Sequence, residues 1–81
     1  MEKMDWTHHL HEYLKEELAD SIKYAELARE NHFETRQMFH DMAEEEYEHA
    51  CAVWHMMEHY GMTAGMNKDA VFHDAKVALY K

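Results

Sequence analysis

The chain has 81 residues, with 17 acidic and 8 basic side chains and a formal charge of −9. That balance repels nucleic acid and anionic membrane and favours cations. The length admits one domain with a modest core, so association with further copies is expected.

Cys51 is the single cysteine, which excludes an intrachain disulfide framework and any Cys-x-x-Cys metal knuckle. A small buried residue in a reducing compartment is the simplest role for it. The N-terminus lacks the apolar run of a signal peptide, and no stretch approaches the ~20 apolar residues of a membrane span. The expectation is therefore a soluble, cytoplasmic protein.

Proline is absent and both glycines, Gly61 and Gly65, lie near the end, so helix formation meets no strong breaker before Gly61. The chain reads as all-α. Asp5 or Thr7 can cap a first helix running to about Glu30. Alternating steps of four and three along it give Leu10, Leu14, Glu17, Ser21, Tyr24 and Ala28, a seam that Glu17 breaks near its middle. Asn31 to Thr35 is a short polar break, and so short a link makes the flanking helices antiparallel neighbours.

The second helix is expected from about Thr35 to Tyr60, stopping where Gly61 can take the left-handed conformation of a helix terminus. The same rule gives Thr35, Phe39, Met42, Glu46, His49, Val53, Met56 and Tyr60. Glu46 and His49 thus interrupt an otherwise largely apolar seam. After a linker from Thr63 to Met66, Asn67 can cap a shorter third helix over about 68–80. Val71, Asp74, Ala75 and Ala78 line one side of it, with Phe72 and Leu79 nearby, and it covers the hairpin or a neighbouring subunit. Residues 1–81 are read as one domain.

Glu46 and His49 stand three apart and share a helix face, the spacing of a metal ligand pair. About one Glu-x-x-His is expected by chance in a chain this rich in Glu and His, so the placement on the seam carries the argument. An unpartnered buried carboxylate costs several kcal/mol, and a bound cation at Glu17, Glu46 and His49 removes that cost. A hydrogen-bonded pair without metal is the competing reading, and Glu16 or Asp20 would replace Glu17 after a small rotation of the first helix.

Two helices of roughly 25 residues are ~37 Å long and cannot bury their whole apolar stripe on each other. A two-fold dimer would make a four-helix bundle and gather both copies of Glu17, Glu46 and His49. Four carboxylates and two imidazoles are the ligand set of a dinuclear carboxylate site.

Residues 10–60 resemble the ferritin-like superfamily, in particular its rubrerythrin-like members and the half-length ferritins that build a bundle from two chains. The likeness rests on Glu17, Tyr24 and Ala28 in the first helix and on Ala43, Glu45, Glu46 and His49 in the second. It implies that Glu46 binds or bridges metal, that His49 supplies an imidazole nitrogen, and that Glu17 binds at the edge. It implies iron, two ions per dimer, whereas ligand chemistry alone also suits manganese or zinc. This chain departs from full-length relatives in carrying one ligand half, and from true rubrerythrins in lacking the Cys-x-x-Cys electron-transfer module. Its ending, Ala75 to Lys81, does not resemble the targeting extension of encapsulated half-length ferritins.

The leading expectation is a homodimer or larger assembly that oxidises ferrous iron with dioxygen or peroxide, with an unidentified redox partner left open. The alternative is a non-catalytic metal-binding or structural helical module, or an adaptor that docks through its third helix. His55 with His59, and the cluster of His8, His9 and His11, are rival sites for zinc or nickel at the surface. The spacings of His40 with Glu44 and of His55 with His59 also suit a hemerythrin-like site but fall off the seam that holds Glu46. The eight methionines, Met42 and Met56 among them on the seam, are core filler rather than a copper set because they lack a tight Met-x-x-Met cluster. Tyr24 is read as a packed core tyrosine that stands within reach of a carboxylate.

Overall fold

Helix-compatible sequence without internal breakers becomes three helices in a computed structural model that describes residues 7–81, and no strand occurs among those residues. They are α1 (His8–Glu30), α2 (Phe33–His59) and α3 (Lys68–Tyr80). Thr7 stands at the start of α1, where its carbonyl accepts from Leu10 N at 3.1 Å, but its side chain makes no cap. Asp5, the other candidate cap, lies outside the described residues.

The turn between α1 and α2 is shorter than the polar break suggested. Only Asn31 and His32 leave the helical conformation, both extended with ψ of 167° and 166°. Asn31 ends α1 by donating from Nδ2 to Leu27 O at 2.7 Å, and His32 O accepts from Arg36 N at 2.7 Å to begin α2. Phe33 and Glu34 therefore belong to α2 rather than to a loop.

Gly61 ends α2 as expected, at φ 68°. Gly61 N donates to Glu58 O at 3.0 Å and Met62 N to Met57 O at 2.8 Å. This is the paired bonding of a Schellman terminus, and Met62 packs back on the core that holds Met57. Asn67 caps α3, its Oδ1 accepting from Ala70 N at 3.1 Å.

The core runs along one stripe of each long helix. On α1 it comprises Leu10, Leu14, Leu18, Ser21, Ala25 and Ala28; on α2, Ala43, Ala50, Trp54 and Met57, with Tyr47 partly buried among them. The expected seam differs by one position at several levels. Leu18 and Ala25 are buried where Glu17 and Tyr24 were expected, and Ala43, Ala50, Trp54 and Met57 where Met42, His49, Val53 and Met56 were. Two stripes one residue apart have the same period on α2, so periodicity alone does not say which meets α1.

α3 decides it. Its buried Phe72, Ala75, Ala78 and Leu79 pack on the core stripe, Phe72 meeting Tyr47 and Trp54 edge to face with ring centroids 5.5 and 6.0 Å away. Asp74, expected on the inner side of α3, is exposed. α1 touches both other helices, and the principal extents are 51 × 29 × 13 Å, with α3 laid against one side of the α1–α2 hairpin. The stripe carrying Glu17, Glu46 and His49 is left beside this core, flanked by the exposed side chains of Tyr13, Met56 and Tyr60. No helix among the described residues is long and apolar enough to cross a membrane.

The conformational role of Gly61 is open to a clean test. A Cβ there would meet nothing within 4 Å, so Gly61→Ala changes only backbone preference. Stability should fall by about 1 kcal/mol, the cost of a left-handed non-glycine residue. Urea unfolding of the variant measures it, and an unchanged midpoint would show that the terminus is held by other contacts.

Candidate metal centre

Small side chains bring α1 and α2 together beside the acidic groups. Ser21, Ala25, Ala43 and Ala50 are all buried, and small residues at a contact draw helix axes toward about 8 Å apart. Ser21 is fully buried and donates from Oγ to Ala43 O at 2.9 Å, tying the helices one turn from Glu17 and Glu46. Burial of its hydroxyl is thereby satisfied.

With the helices fixed there, Glu17 of α1 meets Glu46 and His49 of α2. His49 Nδ1 lies 3.3 Å from Glu17 Oε2 and 3.5 Å from Glu46 Oε1. The donor atoms of all three lie within 4.8 Å of one another. The side chains of Glu17 and Glu46 are 20% and 24% exposed, and that of His49 60%. These groups therefore sit at the rim of the chain's own core, not inside it as the seam suggested, because the inner stripe is rotated by one residue.

The set suits a divalent cation. Donors at right angles, ~2.1 Å from an ion, stand about 3 Å apart, so the separations to His49 need to shrink by only a few tenths of an ångström. Two carboxylates supply charge and the imidazole a neutral nitrogen, a mixture suited to iron, manganese or zinc. Burial, and then the neighbouring Glu46 carboxylate, push the Glu17 carboxyl above its ordinary value, while His49 pulls the other way. A like charge placed this close is costly unless a proton or a cation intervenes.

Glu16 is exposed and Asp20 stands outside the group, so Glu17 is the acid that the fold selects on α1. Tyr24 stacks on Phe39, with centroids 6.3 Å apart and planes 16° apart, in the packing role expected of it. Cys51 is half-buried against the core. The rival histidines do not converge: His55 Nδ1 pairs with Glu58 Oε1 at 3.2 Å, and the His59 ring rests on Tyr60, with centroids 5.1 Å apart. His9 Nδ1 stands 3.9 Å from Glu12 Oε2.

His40, Asp41 and Glu44 form a second cluster, with His40 Nδ1 3.4 Å from Glu44 Oε1. All three come from α2, and Asp41 already accepts from Gln37 Nε2 at 2.8 Å. No second helix contributes to it. The residue that sequence reasoning undervalued is Ser21, whose place among leucines and alanines on the inner stripe was the available signal.

Comparison of the chain with protein-family models, with curated proteins and with solved structures found no match.

Glu17 gives the metal-free protein a pH dependence of defined sign. Its folded carboxyl binds a proton more tightly than the unfolded one, so as pH rises from the ordinary value of 4.5 through the raised folded value, the unfolded chain ionises first and stability falls. Below that window the group contributes nothing. Glu17→Gln should therefore be more stable than the parent at neutral pH, and the gap should close as pH drops through the window. Paired urea titrations in chelator measure it; a less stable variant at neutral pH would mean that attraction to His49 outweighs burial and repulsion.

Proposed function

We propose that this chain is a ferritin-like half-bundle that binds iron through Glu17, Glu46 and His49 and, as a homodimer, oxidises ferrous iron with dioxygen or peroxide. The observation that carries the reading is the meeting of donors from two helices on a face the chain does not cover with its own third helix. A second copy on that face would bury Met56, Val53 and Tyr60 and bring a second set of donors near the first. Iron is favoured over manganese or zinc by the sequence resemblance alone.

The division of labour follows from the helices that hold each group. Glu46 and His49 are fixed relative to each other by one turn of α2. Glu17 comes from α1 and can shift without disturbing that pair. Its raised proton affinity makes a proton compete with a cation for this carboxylate, so binding through Glu17 weakens as pH falls. Ferrous iron is the substrate: two ferrous ions yield two electrons, which with two protons convert dioxygen to hydrogen peroxide, or hydrogen peroxide to two waters.

A second reading has its own support. One chain presents three clustered donors, and three donors with an exposed imidazole suit a static ion that strengthens pairing of the helices. Turnover separates the two. The enzyme consumes oxidant in proportion to added ferrous iron; the static site gains thermal stability and consumes none.

Metal content and mass, measured together on protein loaded with ferrous iron without oxygen, test the proposal. About one iron per chain in a dimer or its multiple is expected from a dinuclear site shared by two chains. Glu46→Ala should lose stoichiometric binding while its circular dichroism stays helical. A metal-free monomer, or full binding in the variant, would overturn the assignment.

A further inference from the structure

The chain contains two arginines, Arg29 in the last turn of α1 and Arg36 in the first turns of α2, and both line one pocket. His40 and Lys81 line it too, over a floor that includes Ala28 and Leu79. Its volume is about 390 Å³, at the lower end of the roughly 300–1,000 Å³ of small-molecule sites. Four of its residues are basic in a chain of net charge −9.

Each guanidinium is held by one bond to backbone. Arg29 Nη1 donates to Ala78 O at 2.7 Å, and Arg36 Nε donates to Ala28 O at 3.2 Å. Each bond tethers its exposed side chain at one nitrogen and leaves the other N–H groups of the fork uncommitted. Neither arginine forms an ion pair with a carboxylate among the described residues, although the chain carries 17 acids.

We propose that the pocket between Arg29 and Arg36 binds a phosphate monoester. Two guanidiniums lining one pocket can offer paired N–H groups to the oxygens of a phosphoryl group, and Lys81 adds a further cation to the lining, while His40 is engaged with Glu44 at 3.4 Å. Charge scales the attraction to the two guanidiniums and the repulsion from the surrounding acids alike, so a dianion is preferred over a carboxylate only where it lies much closer to the forks than to those acids. The apolar floor at Ala28 and Leu79 accommodates the organic substituent. The site is separate from Glu17, Glu46 and His49, none of which lines it.

The test is calorimetric titration of the full, metal-free chain at low ionic strength with phenyl phosphate, inorganic phosphate and benzoate. Phenyl phosphate should bind saturably, one per chain, and more tightly than the other two. Arg36→Gln should weaken it about tenfold or more, the loss expected for a charge-assisted bond. Lys81→Gln, at an exposed position beyond α3, should weaken it as well and keeps the test valid should Arg36→Gln disturb the fold. Absence of saturable heat at millimolar phenyl phosphate, unchanged affinity in both variants, or benzoate binding as tightly as phenyl phosphate would each overturn the proposal. Because metal is absent throughout, the result is independent of the iron-binding reading.

Discussion

The close approach of α1 and α2 at Ser21 and Ala43 is the contact on which the rest depends. A helix pair separated by leucines at this level would stand up to about 2 Å further apart and move Glu17 away from Glu46 and His49. Small side chains remove that spacing, and the Ser21 bond to Ala43 O fixes the level at which the helices meet. Larger residues then take up the volume elsewhere: Leu10, Leu14, Trp54 and Met57 fill one end of the hairpin and Leu79 of α3 the other. The same inner stripe thus supplies cohesion at its ends and proximity at its middle.

That proximity is electrostatically unfavourable in the metal-free chain, since it places two partly buried carboxylates side by side. Carboxylates at a surface separate and hydrate; these two are limited by the helices that carry them. The raised proton affinity of Glu17 is the consequence. A proton or a cation would relieve the repulsion within such a pair, and this is the physical content of the proposed iron site. The overall charge of −9 acts in the same direction at longer range.

α3 gives the hairpin two unlike sides. It seals the core stripe through Phe72, Ala75, Ala78 and Leu79, and its C-terminal carbonyl at Ala78 is tied to Arg29. The same tether orients a guanidinium over the pocket that Arg36 shares. On the other side, the acidic group and its apolar neighbours stay open. One helix therefore separates the edge proposed for an anion from the face proposed for a cation.

Much of this was legible in the residues themselves. The absence of proline, the placing of Gly61 and the cap at Asn67 determine three helices and where two of their boundaries fall, because these are local conformational preferences that operate whatever surrounds them. Glu-x-x-His spacing likewise determines that Glu46 and His49 share a face. Whether that face is inside or at the rim was not determined locally. Met42 and Ala43, Glu46 and Tyr47, His49 and Ala50, Val53 and Trp54, and Met56 and Met57 belong to two adjacent stripes with one period. The tertiary structure chose between them by packing. The stripe with alanines permits close approach to α1, and its Tyr47 and Trp54 pack on Phe72 of α3. The stripe with ionisable groups is left at the edge, where water still reaches them. Glu17, rather than Glu16 or Asp20, became their partner for the same reason: only the rotation that buries Leu18 and Ser21 turns it toward α2.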